Sequence, residues 1–210
     1  MEMIQRRSPL EFSAEPIKTE TRDNWTVALE YEGEGSGPWL VDLSHRRRWD
    51  IQDGDLSTCQ PFGCSIPEKY NQCGFDNGIL INRMNRTQAA IWPLAGEAPP
   101  EPTETAYTET TDATLFVAII GRHTLSIAEK LSALDLGDPA NATPVLFQGP
   151  LSHVPCQIVV MDRSAENAGI LFTCSRGYGR DMQRAVLQAG EEYGLRVAGE
   201  SVFNRWIARV

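Results

Sequence analysis

"DMQRAVLQAGEEYGLRVAG", residues 181–199, carries the pattern on which the fold turns. Met182, Ala185, Val186, Ala189 and Tyr193 recur at three- and four-residue intervals, the spacing that gathers apolar side chains on one helix face. Asp181 stands where an N-cap would accept hydrogen bonds from the free N–H groups of a first turn. Gly194 supplies the left-handed residue that ends a helix. The spacing therefore predicts a helix, closed at Gly194, and "LRVAG" returns from it as a strand.

Upstream, "PVLFQGP", "CQIVVMD" and "GILFTCS" are apolar runs punctuated by Gly, Pro and Asn, and read as strands. "SIAEKLSALDLG" opens on a Ser126-x-x-Glu129 capping box and sets Ile127, Leu131 and Leu134 on one face, so a helix is expected there. "ATLFVAII" is a buried strand broken by Gly121. The order strand, helix, three strands, helix, strand predicts an α+β half-domain with an antiparallel-rich sheet and helices on one face.

The first half reads as extended chain. "WTVALEYE" alternates over Trp25, Val27, Leu29 and Tyr31, "GEGSG" makes a turn, and "PWLVDLS" and "RRWDIQ" continue as strand material. "DGDLSTCQPFGCSIPEKYNQCGFDNG" is turn-rich and reads as loop with at most a short helix, and "ILINRM" and "TQAAIWPL" as a hairpin. Residues 97–112 carry three prolines, five acidic residues and no basic one, so they are expected to form an exposed connector. One domain over 1–210 results, with halves of about 1–96 and 113–210.

Composition narrows the function. A net charge of −9 argues against wholesale binding to nucleic acid or an anionic membrane. No apolar run approaches the length of a membrane span. "MEMIQRRSPLEF" lacks a signal-peptide core, so a cytoplasmic location is expected. The five cysteines then fit reduced thiols. Cys59, Cys64 and Cys73 with His45 lack the C-x2-C knuckle usual in structural zinc sites, so no metal is expected.

Ser44-His45 cannot be a nucleophile–base pair if it lies on a strand, where successive side chains diverge. On that reading Leu40, Leu43 and Trp49 point inward, while Arg46, Arg47 and Arg48 alternate faces and meet solvent or an acidic partner. Arg83 and Arg86 in "NRMNR" form a second basic cluster open to the same readings. "SRGYGRD" at 175–181 is a tight strand-to-helix turn, without the spacing of a nucleotide-binding loop.

Gly177-Tyr178, Ala189-Gly190, Gly194-Leu195 and Gly199 resemble the strand–turn–helix–strand of the aminomethyltransferases, the glycine-cleavage T-protein family, and Asp42-Leu43-Ser44-His45 resembles part of that family's opening strand pair. Over about 104–193, "TDATLFVAIIGRHTLSIAEKLSALDL" and "GPLSHVPCQIVVMDR" resemble the sarcosine oxidase gamma subunits, short relatives of the same folate-binding fold. The resemblance implies a folate-binding-domain fold of two similar half-domains. It also implies a non-catalytic subunit packing with larger flavin- or folate-carrying subunits, or a homo-oligomer, in one-carbon amine metabolism.

Where the T-protein family places a carboxylate pair, this chain has Ile81 and Asn82, and neither can exchange a proton with an amine as a carboxylate does. No catalytic residue is therefore assigned. The alternative is a stand-alone tetrahydrofolate-dependent aminomethyltransferase or demethylase. It would place Asn82, Arg83, Tyr178 and Asp181 around the cofactor, with Asp76 nearby. On the subunit reading Arg46, Arg47, Arg48, Arg83 and Arg86 serve association.

Overall fold

The structure is a computed structural model that describes residues 5–96, 99–104 and 106–210. A two-stranded ribbon comes first, β1 (Pro16–Arg22) and β2 (Trp25–Tyr31), turned by Asp23 and Asn24 at positive φ. Then follow β3 (Trp39–Asp42), β4 (Trp49–Gln52), β5 (Cys73–Asp76), β6 (Ile79–Arg83), β7 (Gln88–Pro93), β8 (Tyr107–Glu109) and β9 (Thr114–Ile120). The rest is α1 (Thr124–Leu131), β10 (Val145–Leu151), β11 (Val154–Asp162), β12 (Gly169–Ser175), α2 (Gly179–Gly190), β13 (Arg196–Ala198) and α3 (Glu200–Ile207).

These strands build two larger sheets. The six-stranded one runs β10-β11-β12-β9-β3-β13 and the five-stranded one β5-β6-β7-β4-β8. Every pairing is antiparallel except β13 on β3. The period-two alternation of β9 decides the layering. Phe116, Ala118 and Ile120 face the second sheet and pack with Leu80, Ala90 and Trp92, while Leu115, Val117 and Ile119 face Ile127 of α1 and Met182 and Val186 of α2. On the far side of the five-stranded sheet, Trp49, Ile51, Ile79 and Ile81 pack under Leu56 and Phe62 of the 53–72 loop.

The α+β expectation with antiparallel-rich sheets is met, with α1 and α2 on one face of the six-stranded sheet. The third helix, unforeseen from sequence, packs Val202, Phe203 and Trp206 into the core between the sheets. Two close approaches seat it. A Cβ on Gly169 would fall 2.0 Å from the Trp206 ring, and one on Gly199 would fall 2.2 Å from the Leu29 carbonyl. Sheet membership crosses the middle of the chain in both directions, since β3 lies between β9 and β13 while β8 pairs with β4. Residues 97, 98 and 105 of the expected connector lie outside the described residues.

Three local expectations change. α1 starts at Thr124, so Ser126 lies inside its first turn, not at a cap; the chain enters through Gly121 and His123, both at positive φ. α2 starts at Gly179, which puts the Asp181 carboxylate in the first turn, where it suits the helix dipole without capping it. Residues 43–48 form a turn between β3 and β4, where a continuous strand was expected.

A candidate functional site around Glu200

The turn after β3 is tied down by Asp42, whose carboxylate accepts from the Ser44 N–H at 2.9 Å and from the Ser8 hydroxyl at 2.5 Å. The five side chains after Leu43 diverge. Ser44 is fully buried, and its hydroxyl accepts from the Phe116 N–H at 3.3 Å. His45 and Arg46 reach α3, Arg47 reaches Glu109 at 3.0 Å, and Arg48 turns inward.

His45 and Arg46 meet on Glu200, the first residue of α3, whose side chain has 0% exposure. His45 Nε2 lies 2.8 Å and an Arg46 terminal nitrogen 2.7 Å from Oε1, and Arg22 at the end of β1 lies 2.5 Å from Oε2. Burial alone would raise the Glu200 pKa. Hydrogen bonds from His45 and Arg22 and the charge of Arg46 overcome that and hold the carboxyl well below the usual carboxylate range. Arg46 also donates to the Leu94 carbonyl at 2.6 Å and lies 4.9 Å from the Phe203 ring centroid.

A cavity of about 560 Å³ opens beside this cluster, lined among others by Arg22, His45, Arg46, Arg47 and Asn204. Both Glu200 oxygens are engaged, so the carboxylate is held as an anion and is a poor proton carrier at neutral pH. The remaining donor capacity is cationic: the buried Nε groups of Arg22 and Arg46 have no hydrogen-bond partner among the described residues. His45 also lines a smaller cavity of about 310 Å³ beneath the ribbon, shared with Trp25 and Tyr31. There burial, then the Asp42 charge, push the Tyr31 hydroxyl up to about 12.

Arg48 corrects the expectation that all three arginines meet solvent or a partner. It is 1% exposed and donates to the carbonyls of Arg46 at 2.5 Å, Thr111 at 3.1 Å and Thr114 at 3.2 Å, with its guanidinium 4.8 Å from the Phe116 centroid. Burial lowers its pKa to about 9, so it stays charged at neutral pH. It replaces water for a group of turn carbonyls and pins the 43–48 turn to the 111–114 turn.

The other candidates are dispersed. Asn82 is fully buried on the Leu80 side of β6, and both atoms of its amide lack a partner among the described residues. Arg83 alternates to the Ile79 and Ile81 side, donating to the Arg86 carbonyl at 2.7 Å with its guanidinium 6.0 Å from the Tyr70 centroid. Tyr178 and Asp181 sit exposed at the start of α2, on the helical side of the six-stranded sheet, and Asp76 is exposed at the end of β5. Arg86 is exposed. The four proposed cofactor residues thus occupy three layers. His45 is on Glu200, Cys64 is in the outer apolar cluster, and Cys73 packs against the core between the sheets.

Sequence reading missed Glu200, Arg22 and Asp42 as site residues. No local signal marked Glu200, which lies more than 150 residues from His45 and Arg46 in the chain.

No family profile and no curated protein matches the sequence. Among solved structures, the chain is similar to one from heterotetrameric sarcosine oxidase of Corynebacterium sp. U-96 in complex with pyrrole 2-carboxylate. The TM-score is 0.59 at 10% identity, over 73% of this chain and 84% of that one. This defines a fold like that of a sarcosine oxidase subunit. No helix among the described residues is long and apolar enough to cross a membrane.

Proposed function

We propose that this chain is a non-catalytic accessory subunit that packs with larger flavin- or folate-carrying subunits in folate-linked one-carbon amine metabolism. The observation that carries the reading is the fold shared with a chain of a heterotetrameric oxidase. Two features support it. Glu200 is committed to two arginines and a histidine inside the fold, and on the resemblance to the aminomethyltransferases the buried, neutral Asn82 takes the place of a carboxylate of that family. On this reading the fold supplies surface and the partner supplies chemistry.

Purification of the native protein with mass spectrometry of whatever accompanies it tests the proposal, together with calorimetry of the lone chain against tetrahydrofolate. A larger subunit in stable stoichiometry, with folate binding no tighter than about millimolar, is the expected result. Micromolar folate binding with methylene transfer by the lone chain would replace this reading with a stand-alone aminomethyltransferase or demethylase.

A further inference from the structure

We propose that Cys156 and Cys174 form a dithiol site that hydroperoxides oxidise reversibly to a cross-strand disulfide. The register of β11 on β12 pairs Gln157 with Thr173 and Ile158 with Phe172, and continued by one residue it brings Cys156 opposite Cys174. Opposed residues of an antiparallel pair share a face with Cβ atoms about 4.5–5.5 Å apart, a small adjustment from disulfide geometry. Both thiols point to the helical side of the six-stranded sheet, in one apolar cluster, at 6% and 5% exposure. On the other flank of Cys156 stands Gly149, which offers no side chain; the half-buried Leu134 leans over it. The cover over this neighbouring position is therefore a loop side chain.

The two sulfurs also differ in chemistry. Contact with Cys174 draws the Cys156 thiol below its ordinary range, whereas Cys174 is pushed up by the same contact and by burial. The asymmetry favours proton loss from Cys156 over Cys174 and makes Cys156 the sulfur that reacts first. Cys64 and Cys73, by contrast, are both pushed up by burial. The balanced reaction has two steps. The Cys156 thiolate attacks one peroxide oxygen, an S–O bond forms as the O–O bond breaks, and the departing alkoxide or hydroxide takes a proton to leave as alcohol or water. Cys174 sulfur then attacks the sulfenic acid, an S–S bond forms as the S–OH bond breaks, and hydroxide leaves with the Cys174 proton as water. Two thiols and one hydroperoxide give a disulfide, water and the alcohol, or a second water from hydrogen peroxide itself.

The test treats the full chain, first reduced and freed of reductant, with stoichiometric hydrogen peroxide, then alkylates and maps it. Free thiols should fall from five to three, with a mass loss of about 2 Da before alkylation and a Cys156–Cys174 cross-linked peptide that dithiothreitol removes. Cys156 should oxidise faster than Cys64, whose thiol is pushed up by burial. In Cys174→Ser, Cys156 should be trapped as a sulfenic acid by dimedone. Five thiols still alkylating at the wild-type rate, a different cross-link, or Cys156 reacting no faster than Cys64 would each overturn the proposal. The wild-type measurement decides the matter even where a variant misfolds.

Discussion

Replacing Glu200 by Gln keeps the shape of the side chain and removes the charge on which two arginines and a histidine converge. Its side chain has no exposure, Arg46 has 14% and His45 9%, so both pairings work in a poorly screened setting. Arg22 is 37% exposed, and its share is about 1 kcal/mol or less. Breaking a buried pair by neutralising one partner costs about 3–5 kcal/mol, because the remaining charge stays desolvated. Arg46 is the group left stranded here, stacked on Phe203 and unable to leave without exposing the end of α3. At neutral pH the variant should therefore lose about 3–5 kcal/mol, a fall in melting temperature on the order of 10 °C for a chain of this size.

The pH dependence checks the cause. The folded Glu200 pKa lies below its unfolded value, so the unfolded chain binds the extra proton first as pH falls. The stabilisation is complete above the unfolded carboxyl value near 4.5 and drains away as pH falls towards the folded one. Urea melts of wild type and Glu200→Gln between neutral pH and pH of about 3 should show a gap that narrows only below roughly 4.5. A gap that is absent at neutral pH, or that keeps its size through the acid range, would refute the reasoning.

Arg48→Lys should lose about 2–3 kcal/mol in the same melts, since a lysine keeps the charge but cannot reach several separated carbonyls from one planar fork. Val186→Asp, at 1% exposure against the six-stranded sheet, should cost about 3–5 kcal/mol; an unchanged thermal midpoint would mean that α2 packs by another face. If the proposed assembly is captured, Arg47→Glu with Arg86→Glu should slow association in a salt-dependent way and leave the circular dichroism of the isolated chain unchanged.

What sequence revealed follows from how local each feature is. The helix over 179–190 was legible because its apolar spacing and the left-handed Gly194 lie within one short window. The hairpin of β6 and β7 was legible for the same reason. By contrast, β5 and β8 are short and went unread, and β13 was legible as a strand while its pairing with β3, more than a hundred and fifty residues earlier, was not. Nothing in Tyr107–Glu109 marks it as strand without Trp49–Ile51 to pair with. The Glu200 cluster is harder still, since it joins residues 22, 45, 46 and 200 from a ribbon, a turn and a helix start.

The three consecutive arginines show why charge alone misleads. Arg46 answers a buried carboxylate, Arg47 a pair of glutamates at the rim, and Arg48 a set of carbonyls with no acid in contact. A strand would have sent them to alternate faces, where an acidic partner was the natural reading. A turn sends them in three directions, and each meets the acceptors that its own stretch of chain leaves unpaired. Carbonyls exposed by the 43–48 and 111–114 turns need donors once the two sheets close over them, and a guanidinium provides five from a single side chain. Arg46 and Arg48 are thereby spent on the fold. If the chain does bind partners through basic residues, the work falls to Arg47 and Arg86, which keep contact with solvent.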